Sequence, residues 1–327
     1  MSHITLFTYY FIVAELNESP RYSILTIPPL FLGCPNRDRV SSEAMEVSPE
    51  ERVRIATDFI KAAPPGEFKE VVNDVRLLLG DDTLLSKASG VFYEYATDQF
   101  TTVDLPEGEN ALVTKFGHIS DNTFYDPRSR KSFKYDYLKN EARDVADLDE
   151  EPGNEEKWRL AIESALKPYL NEFFPNHYSA VYGKMDGNEV NITVCLEDHK
   201  YNPNNFWNGK WISKWELSFS ESEGSQGHMK GMMSVKVHYY EDGNVQLLSS
   251  KSVEDNVDIS NPSQVANSLV LIIKKSEMEY QMAINENYKS MSNTTFKALR
   301  RNLPVTQSLI DWHKLHGLQV GKDIMNR

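Results

Sequence analysis

The chain has 327 residues, 40% of them hydrophobic, and is long enough to bury a core in one or two domains. Its formal net charge of −13 argues against a general nucleic-acid-binding protein, which neutralises phosphates with clustered Lys and Arg. Two cysteines, Cys34 and Cys195, are too few for a disulfide framework or a zinc site. They favour a reducing compartment, by default the cytosol.

Residues 1–46 precede the first clear helix signal. Within them Ile4 to Val13 form a mostly apolar run that is about half of the ~20 residues needed to span a bilayer. No Lys or Arg precedes the run and no clean cleavage pattern follows it, so it is a poor signal peptide. We predict that residues 1–46 are a disordered extension, or an upstream start added to a protein that begins near Met45. Removal of residues 1–44 is expected to leave assembly unchanged.

Amphipathic helices are predicted between residues 48 and 97. The first begins at a capping box, with Ser48 as the N-cap, Pro49 as the first helical residue and Glu51 three positions on. It ends before the Pro-Pro-Gly sequence at 64–66. A second helix is predicted over 67–79 and a third over 84–97. Short connections favour antiparallel packing of these helices, in a helical region over 47–100.

Strands and a further helix follow. Residues 110–137 alternate in hydrophobicity and predict a strand-rich globule over 101–150, whereas the acidic stretch 141–157 predicts a solvated linker. A helix is predicted over 155–173. Asp186-Gly187 and Gly243-Asn244 favour tight hairpins, because these residues tolerate the positive φ of such turns. With a strand over 214–220, these hairpins predict about five mostly antiparallel strands.

A long helix is predicted as the last element of the core region. It starts at the cap-like sequence 261–264, and no Pro or Gly occurs again until Pro304, so about 40 residues would extend ~60 Å. A compact domain of this size is only ~50 Å across. We therefore predict that a partner subunit covers the end of the helix; a bend or break near Ser276 is the alternative. The apolar stripe comprises Val265, Leu269, Ile272, Tyr280, Ile284, Tyr288, Met291 and Leu299.

Enzymatic signals are weak. No nucleotide-binding loop, HExxH or CxxC motif occurs. The sequence Glu197-Asp198-His199 places acids beside a histidine, which would allow a hydrolase built on Asp198 and His199 if a nucleophile lay within reach. No nucleophile can be assigned, and a structural histidine is favoured. We predict no catalytic residue, no cofactor and no metal ligand.

Aromatic residues cluster between 206 and 215. Trp207, Trp211 and Trp215 fall within nine residues, a density that would suit base stacking or a sugar platform. Large aromatic side chains also anchor cores and subunit interfaces, and the acidity of the chain disfavours nucleic acid. We favour the core or interface interpretation.

The C-terminal segment 296–327 differs in charge from the rest. It carries six basic and two acidic residues, a net charge of +4, whereas the remainder totals −17. Beyond Pro304, apolar residues recur at helical spacing at Val305, Leu309, Trp312 and Leu315. A basic amphipathic helix at a chain end lies on a membrane, in a groove of a partner, or against its own domain.

Several segments of the chain can be compared with known families. They are VRIA at 53–56, APPGEF at 63–68, NDVRLLL at 73–79, SFKYD at 132–136, NFWNG at 205–209, VHYYEDGNVQL at 237–247, TTFKALRR at 294–301 and LPVT at 303–306. Together they resemble the alpha subunit of F-actin capping protein. The resemblance covers about residues 47–325 in order. Residues 1–46 match nothing in the family.

The resemblance implies an α+β fold with an N-terminal antiparallel helical stalk over 47–100 and a small strand-rich globule over 101–150. Within 151–303 it implies a helix, a mostly antiparallel sheet completed by a partner subunit, and the long helix. The tail 304–327 would be an amphipathic, actin-binding tentacle. The implied actin-binding residues are Lys297, Arg300, Arg301, Val305, Leu309, Trp312 and Leu315.

The implied function is binding to the barbed, fast-growing ends of actin filaments as a heterodimer with a beta subunit. This binding is expected to be independent of calcium and to block both gain and loss of actin subunits, in the cytoplasm and cytoskeleton. Gln307 stands where the family has a third basic residue, which predicts weaker capping. A membrane-surface protein that uses the same basic tail is the alternative.

Overall fold

The computed structural model describes residues 9–15, 21–26, 48–148, 153–174, 176–221, 225–240 and 244–293. The described helices are α1 (Pro49–Lys61), α2 (Phe68–Leu79), α3 (Asp82–Lys87), α4 (Gly90–Asp98), α5 (Glu156–Phe173) and α6 (Pro262–Asn293). The described strands are β1 (Tyr9–Glu15), β2 (Arg21–Thr26), β3 (Thr101–Asp104), β4 (Asn110–Val113), β5 (His118–Ser120), β6 (Thr123–Asp126), β7 (Lys131–Asp136), β8 (Glu141–Asp147), β9 (Tyr178–Asp186), β10 (Glu189–Asn202), β11 (Trp207–Ser220), β12 (Gln226–Tyr239) and β13 (Asn244–Asp258). The α+β class is confirmed.

Helices α1 to α4 share one apolar cluster, in which Ile60 is fully buried. α1 begins as predicted, since the side chain of Ser48 accepts the backbone N–H of Glu51 at 3.2 Å. α2 ends at Gly80, whose φ of +63° is the left-handed conformation that glycine adopts without strain. The prediction of one helix over 84–97 was wrong: α3 and α4 are separate, because Ser89 and Gly90 are weak residues for a helix interior.

Two small antiparallel sheets follow, one formed by β3 and β4 and the other by β5 to β8 in order. The predicted linker 141–157 was wrong in its first part, which is β8. Ala142 and Val145 pack against the apolar cluster of this region, while Lys134 pairs with the exposed Asp144 at 2.8 Å. The charges therefore mark the outer side of an edge strand. Residues 149–152 lie outside the described part.

A larger sheet has the strand order β2-β1-β13-β12-β11-β10-β9. Its strands β9 to β13 are consecutive antiparallel neighbours, as predicted, although they are longer than expected. β1 and β2 are an addition to the prediction, which had residues 1–46 disordered. Their sequences are rich in aromatic and β-branched residues, which favour strands, and β13 offers them a free edge. The remainder of 1–46 lies outside the described residues.

Both faces of the central strands are covered within the unit that ends at Ser276. On one face of β11, Ile212 joins an apolar cluster with Leu112 and Phe100. On the other, Phe219 packs edge-on against Trp158 of α5 at 4.8 Å. Trp215 is 1% exposed and lies over Gly231 of β12, where a β-carbon would overlap the indole ring. The tryptophan cluster is therefore partly core, and β12 needs glycine at this position.

Helix α6 begins at the predicted cap, where the Asn261 side chain accepts the backbone N–H of Gln264 at 3.0 Å. The helix assignment is continuous through Ser276, so the alternative of a break there is not observed. Its described 32 residues would extend ~48 Å at 1.5 Å per residue. The rest of the predicted helix, up to residue 303, lies outside the described residues.

Candidate interaction surfaces

The predicted actin-binding residues lie outside the described part of the chain. They are Lys297, Arg300, Arg301, Val305, Leu309, Trp312 and Leu315, all beyond the last described residue, Asn293. The tentacle and its basic root therefore stay predictions. The described residues contain three other features: a contact between the helical region and the larger sheet, a buried charge cluster, and a partly open sheet edge.

The α1–α2 loop is joined to β11 by Asn208, which is 3% exposed. Its side-chain amide donates to the carbonyl of Pro65 at 3.0 Å and to the carboxylate of Glu67 at 2.9 Å. These contacts bring together two of the segments that carry the family resemblance, 63–68 and 205–209. Sequence reasoning missed the contact because more than 140 residues separate the partners. The glycine at position 66 was the available signal, because a glycine in a turn can mark a place where another segment packs closely against the backbone.

We expect Gly66→Ala to destabilise the fold by about 2–4 kcal/mol. Gly66 has φ +82°, and a β-carbon there would lie 2.9 Å from the Asn208 amide nitrogen, so alanine adds backbone strain and disturbs two hydrogen bonds. Gly80→Ala is the matched control, because Gly80 also has positive φ but has no neighbour within 4 Å. It should cost about 1 kcal/mol. If urea unfolding showed equal losses of unfolding free energy for the two variants, the contacts of Asn208 with the α1–α2 loop would contribute nothing to stability.

Glu197 is the centre of a buried charge cluster on β10 and β11. The carboxylate is fully buried, and its Oε1 accepts from His199 Nδ1 at 2.9 Å and from Lys210 Nζ at 3.1 Å. Burial lowers the pKa of Lys210, and the negative charge of Glu197 opposes this shift. The acid that orients His199 is thus Glu197, two residues away on the same face, rather than its neighbour Asp198.

A cavity of about 330 Å³ lies beside this cluster. Its lining includes Phe68, Tyr95, Gln99, Tyr135, His199 and Tyr201. Among the described lining residues there is no Ser or Cys that could act as a nucleophile with His199. Cys195 is fully buried, and burial raises the pKa of its thiol. The structural role of His199 stays a prediction, supported by its hydrogen bond to the buried carboxylate of Glu197.

Lys236 of β12 adds a second cation to the same region. Its ammonium donates to the Gln99 side chain at 3.1 Å. Burial, together with the positive charge of Lys210, lowers the pKa of Lys236 to about 8. Within the described ranges, no group of three or more His, Cys, Asp or Glu side chains is placed to hold a metal ion.

The outer edge of β13 is partly occupied. β1 pairs with it in parallel, from Tyr9 opposite Asn244 to Glu15 opposite Ser250. β2 in turn pairs with β1 in antiparallel orientation. Among the described strands, none pairs with the outer edge of β13 over residues 252–258. That half of the edge presents backbone groups to which another strand can be added.

Apolar side chains are also exposed on α6. Leu271 is 67% exposed in the first unit of the chain, and Met278 and Met282, one turn apart, are 41% and 61% exposed in the second. Large apolar side chains at helical spacing favour a protein contact. No described helix is both long enough and apolar enough to cross a membrane.

Comparisons with known proteins give one consistent result. The model of a family described as F-actin capping protein alpha subunit matches residues 56–323. The chain is 41% identical over 282 residues to the F-actin-capping protein subunit alpha of Caenorhabditis elegans, an alignment covering 85% of this chain and 99% of that protein. To the subunit of the same name from Dictyostelium discoideum it is 38% identical over 279 residues, with the same coverage of each chain.

A solved structure has the same fold. The homodimeric actin capping protein alpha subunit from Plasmodium berghei superposes with a TM-score of 0.65 at 20% sequence identity. The match covers 72% of this chain and 92% of the other. At this identity the likeness concerns the fold alone.

Proposed function

The chain belongs to the F-actin capping protein alpha subunit family, and from this premise we propose that it caps the barbed ends of actin filaments as a heterodimer with a beta subunit. The observation that carries the proposal is the family match itself, which continues to residue 323 and so includes the basic, amphipathic tail. The proposed action needs no calcium and takes place in the cytoplasm, at the actin cytoskeleton.

The described surfaces support a second subunit. No described strand pairs with the outer edge of β13 beyond the part that β1 occupies. Helix α6 exposes the side chains of Leu271, Met278 and Met282. Strand addition at an open edge would extend the sheet, and apolar side chains on the helix would be covered. We infer that the beta subunit contributes both the added strand and the cover.

Capping in this proposal is steric. The heterodimer sits on the terminal actin subunits and blocks their loss and the arrival of new ones. Burial of the four apolar side chains of the tail, Val305, Leu309, Trp312 and Leu315, would yield about 6–12 kcal/mol. Association costs about 4–15 kcal/mol, so one tail alone binds weakly. Contacts from two subunits in one body make the second binding event intramolecular and raise the avidity.

Co-expression with a tagged beta subunit tests the assembly. We expect the tagged subunit to retain this chain in equimolar amount through size-exclusion chromatography, because each would complete the surface that the other leaves open. A tagged unrelated protein with an exposed sheet edge is the control for non-specific strand addition. A monodisperse, cooperatively folded monomer that does not bind the beta subunit would contradict the proposal.

The membrane alternative makes a different prediction from the same tail. A membrane-surface protein would co-sediment with anionic liposomes in the absence of actin, and more strongly at low salt. The capping protein proposed here should instead co-sediment with short actin filaments, equally in calcium and in a calcium chelator. Liposome binding at the same protein concentration, without filament binding, would favour the alternative.

A further inference from the structure

The pair of strands β1 and β2 occupies part of the β13 edge, the edge proposed above for the strand of the second subunit. Seven residues of β1, Tyr9–Glu15, pair with residues 244–250 of β13. This hairpin lies outside the family match, which begins at residue 56. The alignments to the two curated relatives cover 99% of those proteins but only 85% of this chain. The occupied edge is therefore a feature of this chain, to be explained from its own structure.

The pairing has the properties of a displaceable strand. It is parallel, and parallel pairs are slightly less stable per residue than antiparallel ones. It covers seven of the 15 residues of β13, so an incoming strand of full length can begin at residues 252–258, with which no described strand pairs on this edge, and then replace β1. A two-stranded hairpin has little stability away from a larger sheet, so β1 and β2 bind only while the edge is free.

We propose that β1 and β2, residues 9–15 and 21–26, are an intramolecular cap of the β13 edge, which the strand of the beta subunit must displace during assembly. The proposal rests on the heterodimer proposed above. It gives the hairpin two roles: the cap shields an edge that would otherwise recruit other strands, and it lowers the apparent affinity for the correct partner. It also changes the expectation that removal of the first residues leaves assembly unchanged.

The change in apparent affinity depends on the fraction of chains in which the β13 edge is open. If nine chains in ten hold the cap closed, the apparent Kd for the second subunit is about tenfold higher than for an open edge. A cap that cannot open should reduce binding by far more than this. The two states can be compared in one protein by a disulfide that is formed and then reduced.

The register supplies the positions for such a disulfide. Glu15 faces Ser250, and neighbouring strands lie ~4.8 Å apart, within the ~4.4–6.8 Å range of Cα separations that disulfides bridge. The test protein is the full chain with Glu15→Cys and Ser250→Cys in a Cys34→Ser background. The matched control carries Glu15→Cys and Asp258→Cys, since position 258 lies eight residues, or ~26 Å, along β13.

The proposal predicts a rapid intramolecular disulfide in the test protein and none in the control, seen as a mobility shift in a non-reducing gel. The oxidised test protein should bind the purified beta subunit at least tenfold more weakly than the same sample after reduction. Circular dichroism of the oxidised and reduced samples checks that both are folded. The control should bind equally well before and after reduction.

Three results would overturn the inference, and they are distinguishable. Absence of the disulfide would show that β1 does not lie on β13 in this register. A disulfide that forms but leaves binding unchanged would show that the beta subunit does not compete for this edge. A disulfide that forms, followed by no binding in either redox state, would refute the heterodimer itself and with it the competition.

Discussion

Lys210→Met is expected to destabilise the protein by about 3–5 kcal/mol, because it leaves the buried carboxylate of Glu197 without its cation. Lys210 and Glu197 are both buried, and their Nζ and Oε1 atoms are 3.1 Å apart. His199 Nδ1 donates to the same oxygen at 2.9 Å, and this contact alone is a poor replacement for the lost ammonium. The measurement is urea unfolding at neutral pH, read as the change in midpoint at constant slope.

Two further variants identify the cause. Lys210→Met combined with Glu197→Gln should recover most of the loss, because no uncompensated charge then remains buried. Lys230→Met is the exposed counterpart: its pair with Glu254 spans 3.8 Å between side chains that are 58% and 66% exposed, so its loss should cost less than ~1 kcal/mol. Equal effects of Lys210→Met and Lys230→Met would contradict a buried pair.

Charge reversal at the root of the tail, Lys297→Glu with Arg301→Glu, should weaken barbed-end capping several-fold or more while the heterodimer stays intact. These residues lie in the segment of the sequence with concentrated positive charge, whereas the rest of the chain is acidic. Each exposed charge pair contributes only ~0.2–1 kcal/mol, so a single change should be modest. The double reversal removes two attractions and adds two repulsions.

The control for the reversal is Lys87→Glu with Lys139→Glu, two exposed lysines on other elements, which changes the net charge by the same amount. It should cap like the parent. Removal of residues 304–327 should have the largest effect, because the apolar contacts are lost as well. Gln307→Arg should act in the opposite direction and slow dissociation slightly. Capping by the double reversal that equals the parent at low salt, where screening is weakest, would refute this site.

Local signals in the sequence predicted most of the elements. The caps at Ser48 and Asn261 lie where the capping pattern indicates them, because a cap depends on residues within one helical turn. The Asp186-Gly187 hairpin follows from similarly local turn chemistry, and Gly187 has the expected positive φ. The antiparallel order of β9 to β13 follows from these short connections.

The errors arose where tertiary contacts override local composition. The acidic sequence of β8 indicates exposure to solvent, yet the strand pairs with β7, and its Ala142 and Val145 pack against the apolar cluster. The strands of the first 46 residues form on an edge provided by β13, some 230 residues away. No local sequence pattern predicts a contact between segments so far apart in the chain. The pairing of Lys210 with Glu197 depends in the same way on the register between two strands.

The central claim, that the chain with a beta subunit caps barbed ends, is tested most directly by elongation of pyrene-labelled actin from preformed seeds in a calcium chelator. With the co-expressed heterodimer in excess over filament ends, we expect barbed-end growth to stop, whereas seeds whose barbed ends are already blocked should elongate from their pointed ends at an unchanged rate. Undiminished barbed-end growth at a saturating concentration of the heterodimer would contradict the account.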